Sequence, residues 1–335
     1  MTTGTKVFRI IISALLSLCI LATAVLFIAI YYLDRVAILQ EDYGVSVAGV
    51  LVTRENKDDI FGDGTVFYDA DNSTLVFADA EIQTDGYMIA STVDLGICLL
   101  GDNKFIATGD STAAFISVTD FYNAKDLYIY GDGSLAIEYR VSRTNSAVIQ
   151  CADLNVLSDI TLTTPDCTNL SNGIVCDSSF KLMSGATITL NGGSAKSLMA
   201  FRVRGNALLE AGTTINVSVK KGSTDAVKAM DINGDLVLGD GASVSVSVAE
   251  DTAELVECIC VNGLLEVGEG ATLTATTAKS YAVECGGAIK LCDGAVFSAT
   301  SADGDADAIC YGAVVDYGAT VNGDLEALGQ IHDKQ

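Results

Sequence analysis

One short pattern recurs along the second half of this chain and restricts what the chain can fold into. Gly-x-φ-x-φ-x-x-Gly-Ala-x-φ, with φ apolar, runs over Gly234–Val244, Gly263–Leu273 and Gly287–Phe297. Its second glycine recurs at Gly185, Gly212, Gly241, Gly270, Gly294 and Gly318, at gaps of 27, 29, 29, 24 and 24 residues. Fainter copies lie upstream: Leu154 and Val156 with Ile160 and Leu162, Leu127 and Ile129 with Leu135 and Ile137, Ile97 and Leu99 with Phe105, and Leu75 and Phe77 with Ile82. Within each copy apolar residues alternate, as strands with one buried face require. A second strand precedes the first glycine (Ala226–Ile232, Tyr281–Cys285) and a third follows the second (Ser243–Val248). Tight turns such as Asn233-Gly234 and Asp240-Gly241 join them. Three short strands per lap predict a parallel β-solenoid of roughly ten coils, each about 27 residues, because one lap cannot bury its apolar face and stacked laps can. A β-sandwich or antiparallel barrel, the rival all-β architecture, does not explain why the same turn recurs at this interval.

The pattern sets the expected domain plan. Residues 1–9 form a short tail with Lys6 and Arg9, and residues 10–33 are an uncharged run closed by Asp34 and Arg35. A helix of that length spans a hydrocarbon core of about 30 Å. A cleaved signal peptide usually has an apolar region of only about 7–15 residues, so residues 10–33 are expected to be an uncleaved signal anchor. The positive flank puts the N-terminus in the cytoplasm and the rest outside, in a single-pass protein of the cell membrane. Residues 34–64 are the expected linker and N-terminal cap, with strands at Val45–Val47 and Val50–Val52 and a short helix over Arg54–Ile60 capped by Thr53. The solenoid then runs over 65–328, and 329–335 is a tail with no cap over the last coil.

Composition removes several function classes. Acids number 43 against 19 bases, and there is one histidine, His332. The net charge of −24 excludes a nucleic-acid partner, which needs a basic footprint to displace counterions. One histidine leaves no Ser-His-Asp triad and no His-based zinc cluster. Parallel β-helices do host polysaccharide lyases and hydrolases, but the Gly-His-Gly and Arg-Ile-Lys of the hydrolases are absent. No dense acid cluster stands in sequence beside Arg202 and Arg204 or Arg140 and Arg143. The chain is therefore expected not to be an enzyme and to require no cofactor.

Three constellations remain. Tyr128 and Tyr130 flank the inward residue Ile129, so both rings point outward from one strand, where they can stack on the apolar faces of sugars. Asp303, Asp305 and Asp307 form the densest acid run, with Asp225 at an equivalent corner, and oxygen donors in number suit calcium. Turn acids Asp132, Asp240, Glu269 and Asp293 fall at similar corners. The ten cysteines include Cys151 and Cys176, and Cys260, Cys285 and Cys310, each spaced by about one coil. They are expected to fill core slots as small hydrophobes, with disulfides between coils as the alternative.

The stretches Val50–Thr53, Asp59–Asp69 and Asn72–Leu75 resemble the lead-in of many surface proteins of gut Firmicutes. Ser223–Ala229 with Asn233–Leu236 is similar to the coil of a carbohydrate-binding β-helix family, and the likeness covers residues 45–325. The resemblance implies a right-handed parallel β-helix, calcium between coils, and binding of acidic or cellulosic polysaccharide. This chain departs from the family's paired aspartates, carrying Ser146, Asn172 and Ser280 at those positions. The expected function is a membrane-anchored extracellular glycan-binding or adhesin-type module without catalysis. The alternative is a structural stalk or scaffold that binds another surface protein.

Overall fold

The computed structural model describes residues 20–29, 42–108, 114–120, 123–140, 147–164, 172–192, 198–219, 226–249, 255–278, 280–302, 307–328 and 331–333. The chain is an all-β parallel solenoid. Each lap gives one strand to each of three sheets, which hold 12, 12 and 10 strands. The first sheet contains the strands that precede each pattern, such as Ala226–Ile232, the second those within it, such as Leu236–Leu238, and the third those that follow, such as Ser243–Val248.

Stacking keeps like residues in register. In the second sheet Leu127 pairs with Leu154, Leu154 with Phe180, Phe180 with Ala207, Ala207 with Leu236, Leu236 with Leu265, Leu265 with Ile289 and Ile289 with Val314. These pairings define about seven regular laps, fewer than the ten like coils expected. The lap before them, from Leu95 to Leu127, is longer than any of the seven, and the lap from Leu75 to Ile97 is shorter. The last lap, from Val314 to Ile331, is the shortest of this series. The uneven laps arise where insertions and deletions fall in corner loops, which leave the strand register intact.

The core is an apolar column between the three sheets. Ile137, Leu162, Leu190, Val217, Val246 and Ala275 follow one another down the third sheet, all buried. Aromatic rings widen the column: Phe77 meets Phe105 at 4.9 Å, Phe115 meets Tyr139 at 5.8 Å and Phe180 meets Phe201 at 4.7 Å, each edge to face.

Antiparallel strands cover the N-terminal edges of two sheets. Asp42–Val47 pairs with Val50–Thr53 and with Ile89–Ser91, and Val66–Asp69 pairs with Thr74–Ala78. The covering strands supply partners for edge groups that the parallel stack leaves open. The helix expected over Arg54–Ile60 is absent and a run of turns replaces it. Thr53 Oγ1 does accept the Glu55 N–H at 3.3 Å, but no helix follows: Asn56 Oδ1 accepts the Thr53 N–H at 2.7 Å and its Nδ2 donates to Leu51 O at 2.9 Å, fixing a tight loop.

The expected membrane span lies largely outside the described residues. Its described part is an exposed helix over residues 20–29, and no described helix is long and apolar enough to cross a membrane.

Candidate functional site

Two tyrosines stand where the alternation puts them, but they do different things. Leu127 and Ile129 are fully buried. Tyr128, between them, is 44% exposed. Tyr130 is only half-exposed because Gly96 opens room beside it. A Cβ on Gly96 would meet Thr74 Oγ1 at 2.4 Å and Tyr130 Cε1 at 3.4 Å. The Tyr130 ring therefore lies along the sheet, and its hydroxyl oxygen is 3.2 Å from Thr74 Oγ1, two laps away. A standing ring and a lying ring give the sheet a wall and a floor.

Around them is an open groove of about 650 Å³. Leu157, 43% exposed, and Met183 extend its apolar side into the next two laps, while Asn72, Asp94 and Asn155 edge it with amide and carboxylate groups. Asp94 has a structural duty as well, since its Oδ1 accepts the Asp126 N–H at 3.0 Å. A groove of this size with an apolar floor and a few polar groups has the proportions of a small-ligand site. A smaller depression of about 360 Å³ lies over the N-terminal strands, beside Leu51 and Tyr87.

The acids expected to hold calcium are placed otherwise or lie out of view. Asp225, Asp303 and Asp305 fall outside the described residues. Asp307 caps a corner: its Oδ1 accepts the Ser301 N–H at 2.5 Å and its Oδ2 the Asp324 N–H at 2.8 Å. At the turn after the second sheet, Asp240 Oδ1 accepts the Glu269 N–H at 3.2 Å, and Gly270 N–H donates to Asp293 O at 3.2 Å, so these three turn acids do stack.

A second ladder, which the sequence pattern did not reveal, runs along the turn before the second sheet. Asp126 N–H donates to Asp94, Asp153 N–H to Asp126, and Ser179 N–H to Asp153 at 2.8 Å. Further along, Asp235 N–H donates to Asn206 at 2.9 Å and Leu264 N–H to Asp235 at 2.7 Å. Each carboxylate or amide satisfies a backbone donor of the next lap, which turn backbone otherwise leaves to water. The signal was present as an Asp or Asn just ahead of five second-sheet strands (Asp94, Asp126, Asp153, Asn206 and Asp235), and only the register shows its purpose.

The cysteines divide. Cys151 pairs with Cys176 and Cys285 with Cys310, in register and buried. Cys260 does not share the column of Cys285. It pairs with Asp231 and Glu284 on the outer face, and Val261 takes the slot before Cys285. Cys260 stands 25 residues before Cys285, and the lap that ends at Cys285 begins at Val261, 24 residues before it, so even spacing does not make a column here. All described cysteines are free thiols. Burial and the neighbouring Cys151 thiol hold Cys176 well above the ordinary thiol range.

Arg140, Arg202 and Arg204 are engaged with acids on the outer faces, and Arg143 lies outside the described residues. Arg204 meets Asp177 at 3.2 Å, Arg202 stands 3.9 Å from Asp231, and Arg140 pairs with Glu138. The fold and its groove define a parallel β-solenoid with an open aromatic site on one outer face. No family profile, curated protein or solved structure matches this chain.

Proposed function

We propose that this protein is a cell-surface glycan-binding module without catalysis, anchored in the membrane by residues 10–33, and that the groove over Tyr128 and Tyr130 receives the glycan. The observation that carries this reading is the exposed Tyr128 ring beside the tethered Tyr130 ring, in an open groove edged by Asn72, Asp94 and Asn155. A sugar ring offers one apolar face and a rim of hydroxyls. The tyrosines suit the face, and the amides and carboxylate suit the rim. The groove is open along the sheet, which suits a chain more than a free monosaccharide. The strong negative charge of the protein favours a neutral glycan over an anionic one.

A glycan array probed with the full-length chain, followed by titration of the best glycan, tests this reading. Tyr128→Ala is expected to weaken binding by roughly tenfold, the scale of one lost aromatic contact. Tyr130→Phe, which removes only the hydroxyl tethered to Thr74, is expected to change affinity by less than about twofold if that hydroxyl only positions the ring. An array with no retained glycan, or a Tyr128→Ala protein with full affinity, sinks the proposal. The second reading, a scaffold that docks a surface protein, draws support from Leu157 and Leu208, which extend apolar exposure beyond the rings.

A further inference from the structure

We propose that Cys151 with Cys176, and Cys285 with Cys310, are two disulfide-forming sites, each tying one lap of the solenoid to the next when a small-molecule disulfide is the oxidant. The register assembles them. In the inward column at the end of the first-sheet strands, Cys151 and Cys176 are followed by Val203, Ile232 and Val261, and then by Cys285 and Cys310. Cysteine thus enters this column twice, each time as two neighbours in register. Elsewhere cysteines face other residues: Cys98 pairs with Val76 and Tyr130, and Cys260 with Asp231 and Glu284.

Core filling alone does not account for the pairing. The three laps between the pairs fill the same slot with valine or isoleucine, so the slot takes a branched aliphatic side chain, whereas only a bond needs two cysteines side by side. All four thiols are fully buried. In-register neighbours on parallel strands hold their Cα atoms about 4.8 Å apart, inside the range of roughly 4.4–6.8 Å that a disulfide spans. Cys285 Sγ donates to Gly263 O at 3.5 Å and Ala288 O at 3.4 Å, and Cys310 Sγ to Gly287 O at 3.4 Å and Ala313 O at 3.9 Å. The two thiols therefore repeat one posture a lap apart. A turn of one χ1 toward its neighbour closes the sulfurs to a bond of about 2.05 Å and gives up only weak thiol donors. The two thiols already act on one another: Cys310 is the first influence raising Cys285, and Cys285 the first influence lowering Cys310, to about 6.

The chemistry is thiol–disulfide exchange in two steps. The Cys310 thiol loses its proton to solvent, and the thiolate attacks one sulfur of the small disulfide. That S–S bond breaks, and one half leaves as a thiolate that takes up a proton. The Cys285 thiol then loses its proton and attacks the Cys310 sulfur of the mixed disulfide, forming the bridge and releasing the second half. Two protein thiols are oxidised and one small disulfide is reduced to two thiols. Cys151 and Cys176 follow the same course. The free thiols of the structure are the starting state. Because they are buried, exchange takes place while the laps are stacking and the sulfurs still meet solvent. Each bridge closes a ring between cysteines 25 residues apart. It removes chain entropy from the unfolded state and fixes one lap-to-lap interface, the unit from which the stability of a solenoid is summed. The proposal stands apart from the tyrosine groove and from the membrane anchor.

The test synthesises the full-length chain cell-free in detergent, once with dithiothreitol and once with a mixture of reduced and oxidised glutathione. Both products are unfolded, alkylated, digested and mapped by mass spectrometry. Expected with glutathione are two cross-linked peptide pairs, Cys151 to Cys176 and Cys285 to Cys310, while Cys98, Cys258, Cys260 and Cys292 are alkylated in both products. The oxidised product should melt at least about 5 °C above the reduced one. Cys310→Val, which installs the side chain that Val261 places in the same column, should lose the second link and keep the first. Cys176→Val should do the reverse. The double variant should melt at the same temperature from both syntheses. Full alkylation of the four cysteines in a folded glutathione product, a link from any of them to another cysteine, or a redox-dependent melting shift that survives in the double variant overturns the proposal.

Discussion

The second and third sheets share one core and present opposite exteriors. On the third sheet, Thr161, Thr189, Asn216, Ser245, Thr274 and Ser298 lie in register along one outward column. Thr163, Asn191, Ser218, Ser247, Thr276 and Thr300 form its neighbour. From Thr161 and Thr163 onward both columns are made of small, uncharged polar side chains, while the two laps before them carry Lys104 and Ala136 in one and Ile106 and Glu138 in the other. On the second sheet the corresponding outward column reads Gly96, Tyr128, Asn155, Lys181, Leu208, Val237, Glu266 and Lys290. No two neighbours there are identical. Inward, both sheets are buried Leu, Ile, Val, Phe and Ala with few exceptions. Stacking thus constrains the inner residues of every lap and leaves the outer ones free. A site can be placed on such a rod by changing a few outward residues in adjacent laps.

The comparison breaks most readily from within. Phe201 is fully buried and meets Phe180 edge to face at 4.7 Å. Phe201→Ala should cost about 3–5 kcal/mol, read as a lower midpoint in urea. Gly131→Ala comes next. Gly131 has φ +118° and a Cβ there would sit 2.2 Å from Leu99 O of the preceding lap, so both conformation and contact oppose the change. The expected loss is about 1–3 kcal/mol. Because Gly131 follows Tyr130 directly, glycan affinity should fall with it. On the hydroxyl face, Thr274→Ala should stay within about 0.5 kcal/mol of wild type. A Thr274→Ala penalty as large as that of Phe201→Ala would show that the third sheet's exterior is packed and not solvated.

What the sequence made legible follows the same division. The repeating glycines and the alternation of Leu127 with Ile129, or Val244 with Val246, carried the three sheets, because inward residues obey a period. The outward position of Tyr128 followed from that period alone. The posture of Tyr130 did not, since it depends on Gly96 and Thr74 in earlier laps, and the lap from Leu95 to Leu127 is longer than any gap between the marker glycines. The even spacing of Cys260, Cys285 and Cys310 misleads for the same reason: one short lap shifts a column, and a shift of one residue exchanges inside for outside. The turn acids were visible as turn formers, but their service to the backbone N–H of the next lap needs the register to be known.

Neighbouring rungs of the aspartate ladder sharpen the comparison at its finest grain, because the same residue in the same role titrates in opposite directions. Asp126 is held above the ordinary carboxylate range, by burial first and also by the charges of Asp153 and Asp94, against the Asp153 N–H that it accepts and the charge of Lys125. Burial also pushes Asp153 upward, but donors from Ser178 and Ser179 outweigh it and hold this carboxyl below the range. A raised folded pKa means that the native state holds its proton longer than the unfolded chain, so the Asp126 contribution is favourable at low pH and is lost as pH rises through the folded value. A depressed one reverses the sign: the Asp153 contribution is present above the unfolded value and is lost as pH falls through the folded one. Asp126→Asn keeps an oxygen to accept the Asp153 N–H, as Asn206 does two rungs beyond Asp153, and removes the repelling charge. At pH 7 it should therefore raise the melting temperature slightly, a gain of a few tenths of a kcal/mol, and the gain should vanish below about pH 3.5, where the wild-type carboxyl is protonated in both states. Asp153→Asn should lower the melting temperature at pH 7, with that loss shrinking over the same acid range. If both variants shift in the same direction at pH 7, the ladder is held by its hydrogen bonds alone and the charges of its neighbours do not matter.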